Sequence, residues 1–444
     1  MPLNTPKKIA IIGSGISGLM SAYLLNQDNE IKLFEADNYI GGHTATKSVE
    51  VNGKTFAIDT GFIVFNDRTY PNFIKLLEGL EVSYQPAEMS FSVSCQVANY
   101  EYSGSSIKGL FAQVENILNY KHWRMLREIL RFNRECTALH ECGAIDEDET
   151  LDAYLCAHGY SEHFKHYYIF PMVSAIWSSG ISIAASMPLN FFIRFFYNHG
   201  LLSVLNQPQW FSLIGGSSSY ITPLTESFTE KIHTSSPVTS VRRRNGLVEV
   251  TSSEFGVEMF DDVIFACHSD QALKILVDPS DAEVEILSAL PYKKNDVILH
   301  SDINFLPQKR SAWASWNYLY LDEGESESAI LTYNMNLLQN LDAPTTFCVS
   351  LNNGLHVSPD KVYGRYSYSH PQFTKATIAA QERWGEINGQ NNTYYCGAYW
   401  RNGFHEDGVV SALKVAASLG VKGITNNQYD VLWKPAHDVT SEQV

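Results

Sequence analysis

Apolar and polar positions follow three different patterns along this chain of 444 residues. Near the N-terminus, Ile9, Ala10, Ile11 and Ile12 form an unbroken apolar run, the pattern of a strand buried on both faces. Leu19, Ala22, Tyr23 and Leu25 then recur at helical intervals, and Ile31, Lys32, Leu33 and Phe34 make a second strand ending at Glu35. The order is βαβ.

From about Ile107 to Leu205 the pattern turns helical and rich in aromatics. Leu110, Val114, Ile117 and Leu118 keep helical spacing, as do Leu126, Ile129 and Leu130 with Asn133, and Asp146 to Thr150 predicts an exposed loop and helix start. His166 to Phe192 contains no Asp, Glu, Lys or Arg. A membrane span needs about 20 predominantly apolar residues, and Pro171, Gly180, Pro188 and five serines interrupt this stretch, so buried protein is expected. Phe191 to Tyr197 is apolar nearly all round, which suits a core or the wall of an apolar channel.

The third pattern is that of short strands. Val51-Asn52-Gly53-Lys54 predicts a turn between two of them, Asn245-Gly246 another, and Asp262 to Ala266 a further buried strand. Gly215 to Tyr220 opens a predicted helix through Leu224 and Phe228, with serines placed to cap it. Asn295 to about Ser350 reads as strands of a second sheet whose aromatics, Trp313, Trp316, Tyr318 and Tyr333, are expected to line a substrate cavity.

Length predicts two domains, interleaved or in series. A net charge of −16 disfavours nucleic-acid partners and offers no overall attraction to anionic membranes. The seven cysteines are scattered without a C-x-x-C pair, so a reducing cytoplasm is expected and neither a disulfide framework nor a zinc site is. His163 and His166 lie one helical turn apart but lack a convincing ligand set, and no metal is expected.

Gly13, Gly15 and Gly18 follow the first strand at G-x-G-x-x-G spacing. In such a unit the first glycine permits the tight turn, the second lets a pyrophosphate approach the backbone, and the third lets helix and strand pack closely. The phosphates meet the helix N-terminus and Glu35 accepts from a ribose. Lys7 and Lys8 ahead of an apolar stretch hint at a secretory signal, but the spaced glycines and the polar run Gln27 to Glu30 argue against one.

The string from Gly13 through Ser14, Gly15, Ile16, Ser17 and Gly18 to Ala22 and Leu25, then Glu35-Ala36 and Gly41-Gly42, resembles the flavoprotein superfamily of amine oxidases and phytoene desaturases. The resemblance is closest to bacterial amine-oxidoreductase-like proteins, some of them associated with desaturating or otherwise modifying membrane fatty acyl chains, and it implies FAD as cofactor. His43, followed by Thr44, stands where members usually carry Arg. The resemblance places Gly61 and Phe62 against the isoalloxazine, Val238 at the adenine, and Gly397, Phe404, His405, Glu406, Asp407 and Gly408 in the closing flavin motif, with Ala398 replacing a usual acid.

The expected fold class is therefore α/β. A Rossmann-type FAD-binding domain (1–80, 212–290 and 391–425) interleaves with a sheet-plus-helix substrate domain (81–211 and 291–390), followed by a tail (426–444). The expected activity is hydride transfer to flavin from an apolar, unsaturated fatty-acyl or lipid-like substrate, with amine oxidation and flavin binding without turnover as the alternatives. Trp177, Phe192, Phe196 and Phe404 are expected to line the substrate passage, and His405 to accept a proton. A small lipid-like partner and a peripheral contact with the inner membrane face complete these expectations.

Overall fold

The computed structural model describes residues 6–146, 148–203, 207–321, 329–352, 357–426 and 431–433. Most of the expected tail therefore lies outside the described residues. Strand β1 (Lys8–Ile12), helix α1 (Ile16–Leu25) and strand β2 (Glu30–Phe34) build the βαβ unit, with β1 and β2 parallel and Ile11 opposite Leu33. The unit seeds a five-stranded, all-parallel sheet in the order Ile232–His233, β2, β1, Asp262–Phe265, Thr393–Tyr395. The central strands are largely apolar because both faces are covered: Ile9 and Ile11 pack among helical residues such as Leu19 and Leu413, and Ala10 and Ile12 among Val248, Val250 and Phe260 of a three-stranded antiparallel sheet. Strands far apart in sequence thus meet in one sheet, and their C-terminal ends lie together at the Gly13 turn.

Hairpin β3 (Thr46–Val51) and β4 (Lys54–Asp59) turns at Asn52 and Gly53, both at positive φ (52° and 74°) as a two-residue turn requires. A second, mixed sheet of seven strands runs Val362–Pro371, Tyr292–His300, Cys348–Leu351, Ala329–Asn334, Trp316–Tyr320, Phe91–Cys95, Tyr100–Ser103. Against it pack the helices of 107–198. The longest, Tyr120–Cys142, is capped by the Asn119 side chain and stopped at Gly143 in the left-handed conformation (φ 63°).

Three sequence expectations change here. The helical spacing at Leu110 to Leu118 does not mark a buried face: the segment is broken into short helical turns, with Val114, Ile117 and Leu118 exposed. On the long helix the inward stripe is Met125, Phe132 and Cys136, while Leu130 faces solvent. Both shifts arise because spacing reports a stripe without saying which neighbours cover it. The helix after Gly216 lacks a serine cap; Asp59 accepts from the backbone N–H of Ser217 and from its hydroxyl (2.8 and 2.9 Å). Burial pushes the Asp59 carboxyl up to about 6 even so.

Candidate cofactor site and adjoining cleft

Each glycine of the first turn has its own steric reason. Gly13 sits at φ 105°, and a Cβ there would lie 2.8 Å from the Ala266 carbonyl oxygen. At Gly18 a Cβ would fall 1.9 Å from the Gly13 oxygen. At Gly15, the residue before α1, it would meet nothing within 4 Å. Open space in front of the free N–H groups of a helix N-terminus is what a pyrophosphate needs. Glu35 accepts from the Ser14 N–H and hydroxyl (2.8 and 2.5 Å), and Ala36 beyond it is exposed.

The second diglycine folds over the first turn. Gly41 pairs with Gly15, its N–H donating to the Ser14 carbonyl (3.0 Å), and Gly42 is at φ 58° with the space of its missing Cβ 3.2 Å from the Gly15 Cα. Gly61 packs on the His43 carbonyl, which accepts from the Phe62 N–H (2.7 Å). Phe62 in turn stacks on His405, centroids 3.8 Å apart and planes 8° from parallel. Thr44 Oγ1 and His405 Nε2 both hydrogen-bond the Tyr220 hydroxyl (2.6 and 2.8 Å).

His43 belongs to a cluster that the spacing of the chain did not announce. His268, just after the strand Asp262–Phe265, and His370, on the strand Val362–Pro371, bring their ring centroids within 6.3 and 5.3 Å of it. Burial lowers all three imidazoles, His43 and His268 to about 4 and His370 to about 3, so the cluster is neutral at pH 7. His43 Nε2 is buried without a hydrogen-bond partner among the described residues. An orphaned polar atom beside the Gly13 turn and the Gly41-Gly42 turn, together with the open space at Gly15, fits a bound dinucleotide. Only the shared neutrality of widely spaced histidines ties this cluster together, and that emerges from burial.

The closing motif divides its labour. The helix His405–Ser418 crosses α1 at Gly408, where a Cβ would lie 2.7 Å from Ile16 Cγ2 and where Ser17 Oγ donates to the Gly408 carbonyl. Gly397 donates its N–H to Ser411 Oγ (2.9 Å). Glu406 turns toward the helix α2 (Pro71–Gly79), accepting from the N–H groups of Asn72 and Phe73 (3.1 and 2.9 Å). Asp407 accepts from the N–H groups of Asn402 and Phe404. Both carboxylates are thus engaged within the protein, Glu406 also by the Asn72 side-chain amide (2.7 Å) and Asp407 by Arg401 (3.7 Å). Val238 begins its strand half-buried, at the edge of the core.

The His405 ring is enclosed by the protein. Its ring is clamped between Phe62 and Phe73, its Nε2 is engaged by Tyr220, and burial drives it down to about 3. The expected substrate-lining residues also separate. Phe192 and Phe196 are filled-in core, packed on each other. On the same helix it is Phe195 that meets Phe404, stacked at 5.1 Å, with Trp177 behind it at 4.6 Å. The Trp177 indole N–H donates to the Asn402 carbonyl (3.3 Å), tying the helical insert to the loop that carries Phe404. Tyr318 and Tyr333 are buried in different core clusters, Trp316 packs on Tyr333, and Trp313 donates to the Pro307 carbonyl.

The open space beside Phe404 is a cleft of about 720 Å³, not a closed apolar tunnel. Arg68, Arg401, Tyr197, His199 and Leu202 line it with Phe404. His199 Nδ1 bonds the Phe195 carbonyl (2.9 Å), and since a carbonyl only accepts, Nδ1 holds the proton and Nε2 the lone pair. Burial first, with Arg401 and Arg68 adding repulsion, lowers His199 to about 4.

The family model of flavin containing amine oxidoreductases matches residues 16–302. Among solved structures, a CLA-producing fatty acid isomerase from P. acnes superposes with a TM-score of 0.68 at 12% identity, covering 95% of this chain and 100% of the other. The cyclohexylamine oxidase of Brevibacterium oxydans IH-35A gives 0.65 at 14% identity, covering 93% and 98%. Such identities establish the fold alone. The carotenoid phi-ring synthase of Chlorobaculum tepidum is 41% identical over 69 residues, a match that spans 15% of this chain and 11% of that protein. With the family model matching well over half of its length, the chain belongs to the flavin containing amine oxidoreductases and is an FAD-dependent oxidoreductase.

Proposed function

We propose that the enzyme oxidises a long-chain, lipid-like acyl substrate carrying an anionic end group. FAD is held by the turn Gly13 to Gly18, by Glu35 at the ribose, by Gly41, Gly42, His43 and Gly61 over the turn, and by the N-terminus of the closing helix. When bound it supplies the hydride acceptor. The observation that carries the substrate reading is the composition of the Phe404 cleft, in which Arg68 and Arg401 face an aromatic wall. Phe404, Tyr70 and Tyr197 supply the aromatic faces of that wall, with Phe195 stacked behind Phe404 and Trp177 behind Phe195.

An ammonium substrate would need an acidic partner to offset its desolvation. Of the acids bordering the cleft, Glu406 accepts from Asn72 and Phe73 and is raised by burial to about 7, Asp407 accepts from Phe404 with Arg401 3.7 Å away, and Glu141 is exposed to solvent. The two guanidinium groups, Arg401 already 3.7 Å from Asp407, favour an anionic end group over a cationic one. The carbon that loses hydride must also lose a proton to form a double bond, and His199, which lines the cleft with its Nδ1 already engaged, takes it on Nε2.

The test is anaerobic bleaching of the flavin by candidate reductants. Unsaturated fatty acyl lipids should reduce it faster than small amines, and His199→Gln should slow reduction by roughly 10²-fold or more, whereas His405→Gln should leave the rate of bleaching close to that of the wild type once FAD occupancy is matched. Rapid bleaching by benzylamine with acyl lipids inert would overturn the reading in favour of amine oxidation.

A further inference from the structure

The segment from Ile107 to Tyr120 is folded largely inside out. Its polar side chains point inward: Gln113 Oε1 accepts from the Glu101 N–H (2.9 Å), and Asn116 Nδ2 donates to the Glu101 carbonyl (3.1 Å), both residues being buried. Its apolar side chains point out, with Leu118 90% exposed, Ile107 79%, Val114 71% and Tyr120 71%. Trp123, also exposed, donates its indole N–H to the Ile117 carbonyl (2.8 Å) and packs its ring on Phe111 at 5.2 Å, so the turns and the start of the long helix form one continuous surface. A soluble face does not leave so many large apolar groups together without a partner.

Charge identifies the partner. The stretch 107–134 carries Lys108, Lys121, Arg124, Arg127, Arg131 and Arg134 against Glu115 and Glu128, a local excess of four positive charges on a chain whose net charge is −16. Arg124 pairs with Glu128 and Arg131 with Glu135; Lys108, Lys121, Arg127 and Arg134 form no ion pair among the described residues. Tyr and Trp among aliphatics, flanked by Lys and Arg, is the composition of a protein surface that sits at a bilayer's headgroup level. No helix among the described residues is long and apolar enough to cross a membrane.

We infer that this face docks the enzyme, peripherally, on an anionic phospholipid bilayer. Leu118, Ile117, Val114, Ile107, Tyr120 and Trp123 enter the headgroup boundary while the basic side chains meet lipid phosphates. The docking is independent of which molecule the flavin oxidises, although an acyl substrate gives it a purpose.

The FAD-loaded full-length protein should float with phosphatidylcholine vesicles that contain phosphatidylglycerol and much less with phosphatidylcholine alone, and added salt should release it. Leu118→Asp, and separately Lys121→Glu with Arg127→Glu, should each lower partitioning about tenfold with FAD content and Tm unchanged. Equal flotation of wild type and variants, or no flotation at all, overturns the inference. So does a wild type that sediments as a dimer, fails to float, and becomes monomeric on Leu118→Asp, because the face then joins two copies of this chain. Bleaching by detergent-dispersed acyl lipid should be the same in Leu118→Asp and wild type, so failure of docking and failure of the substrate reading are distinguished.

Discussion

At Gly13 and Gly18 the backbone admits no added atom, whereas between Ile107 and Leu118 large side chains stand in open solvent, and both stretches carry regular apolar spacing. In the first, the constraint is local. Gly13 and Gly18 press against each other and against Ala266 within a few residues of chain and one neighbouring strand. In the second, the same kind of spacing has no neighbour to fill it, and the polar Gln113 and Asn116 take the inward places because Glu101 offers them backbone partners. Periodicity is thus a promise of burial only where something arrives to cover the stripe.

The sharpest way to break this comparison is at two glycines of one turn. Gly18→Val forces a side chain into the Gly13 carbonyl and should cost about 3 kcal/mol or more, leaving little folded protein; Gly15→Val adds its side chain to open space at an ordinary φ of −64°, so it should stay folded and lose the flavin absorbance. Retention of FAD by Gly15→Val would remove the turn from the cofactor site. Within the helical insert, Phe132→Ala should lower stability by roughly 3–5 kcal/mol in denaturant unfolding, because the ring is fully buried among Tyr154, Tyr160, Phe164 and Phe192.

The closing helix supplies a pH test. Burial raises the folded-state Glu406 from its ordinary value near 4.5 to about 7, so the folded state binds the proton more tightly than the unfolded one. Stability from this group is full below about pH 4.5 and is lost as pH rises toward 7, a change of about 3 kcal/mol at most. Glu406→Gln should flatten that slope in a Tm-against-pH series, and an unchanged slope would assign it to another group, Asp59 being the next candidate. Smaller again, Tyr220→Phe leaves His405 Nε2 and Thr44 without their shared partner and should cost roughly 1–3 kcal/mol. The smallest effect belongs to Leu118→Ala, within about 0.5 kcal/mol in either direction, despite a residue as apolar as any in the core.

Chain order and spacing determined the βαβ unit and the Asn52-Gly53 and Asn245-Gly246 turns, and the motifs they carry resemble the family to which the chain belongs. These rest on short-range rules: two apolar strands, glycines where a carbonyl or a phosphate must come close, and turn residues that accept positive φ. Tertiary structure alone decided that His43, His268 and His370 meet, that Glu406 and Asp407 serve backbone N–H groups, and that Phe195 instead of Phe192 or Phe196 faces Phe404. It also removed His405 from the open site and put His199 beside it. The reason is common to all of these: a side chain's protonation, partner and exposure depend on which distant segments close around it, and neither its type nor its spacing carries that information.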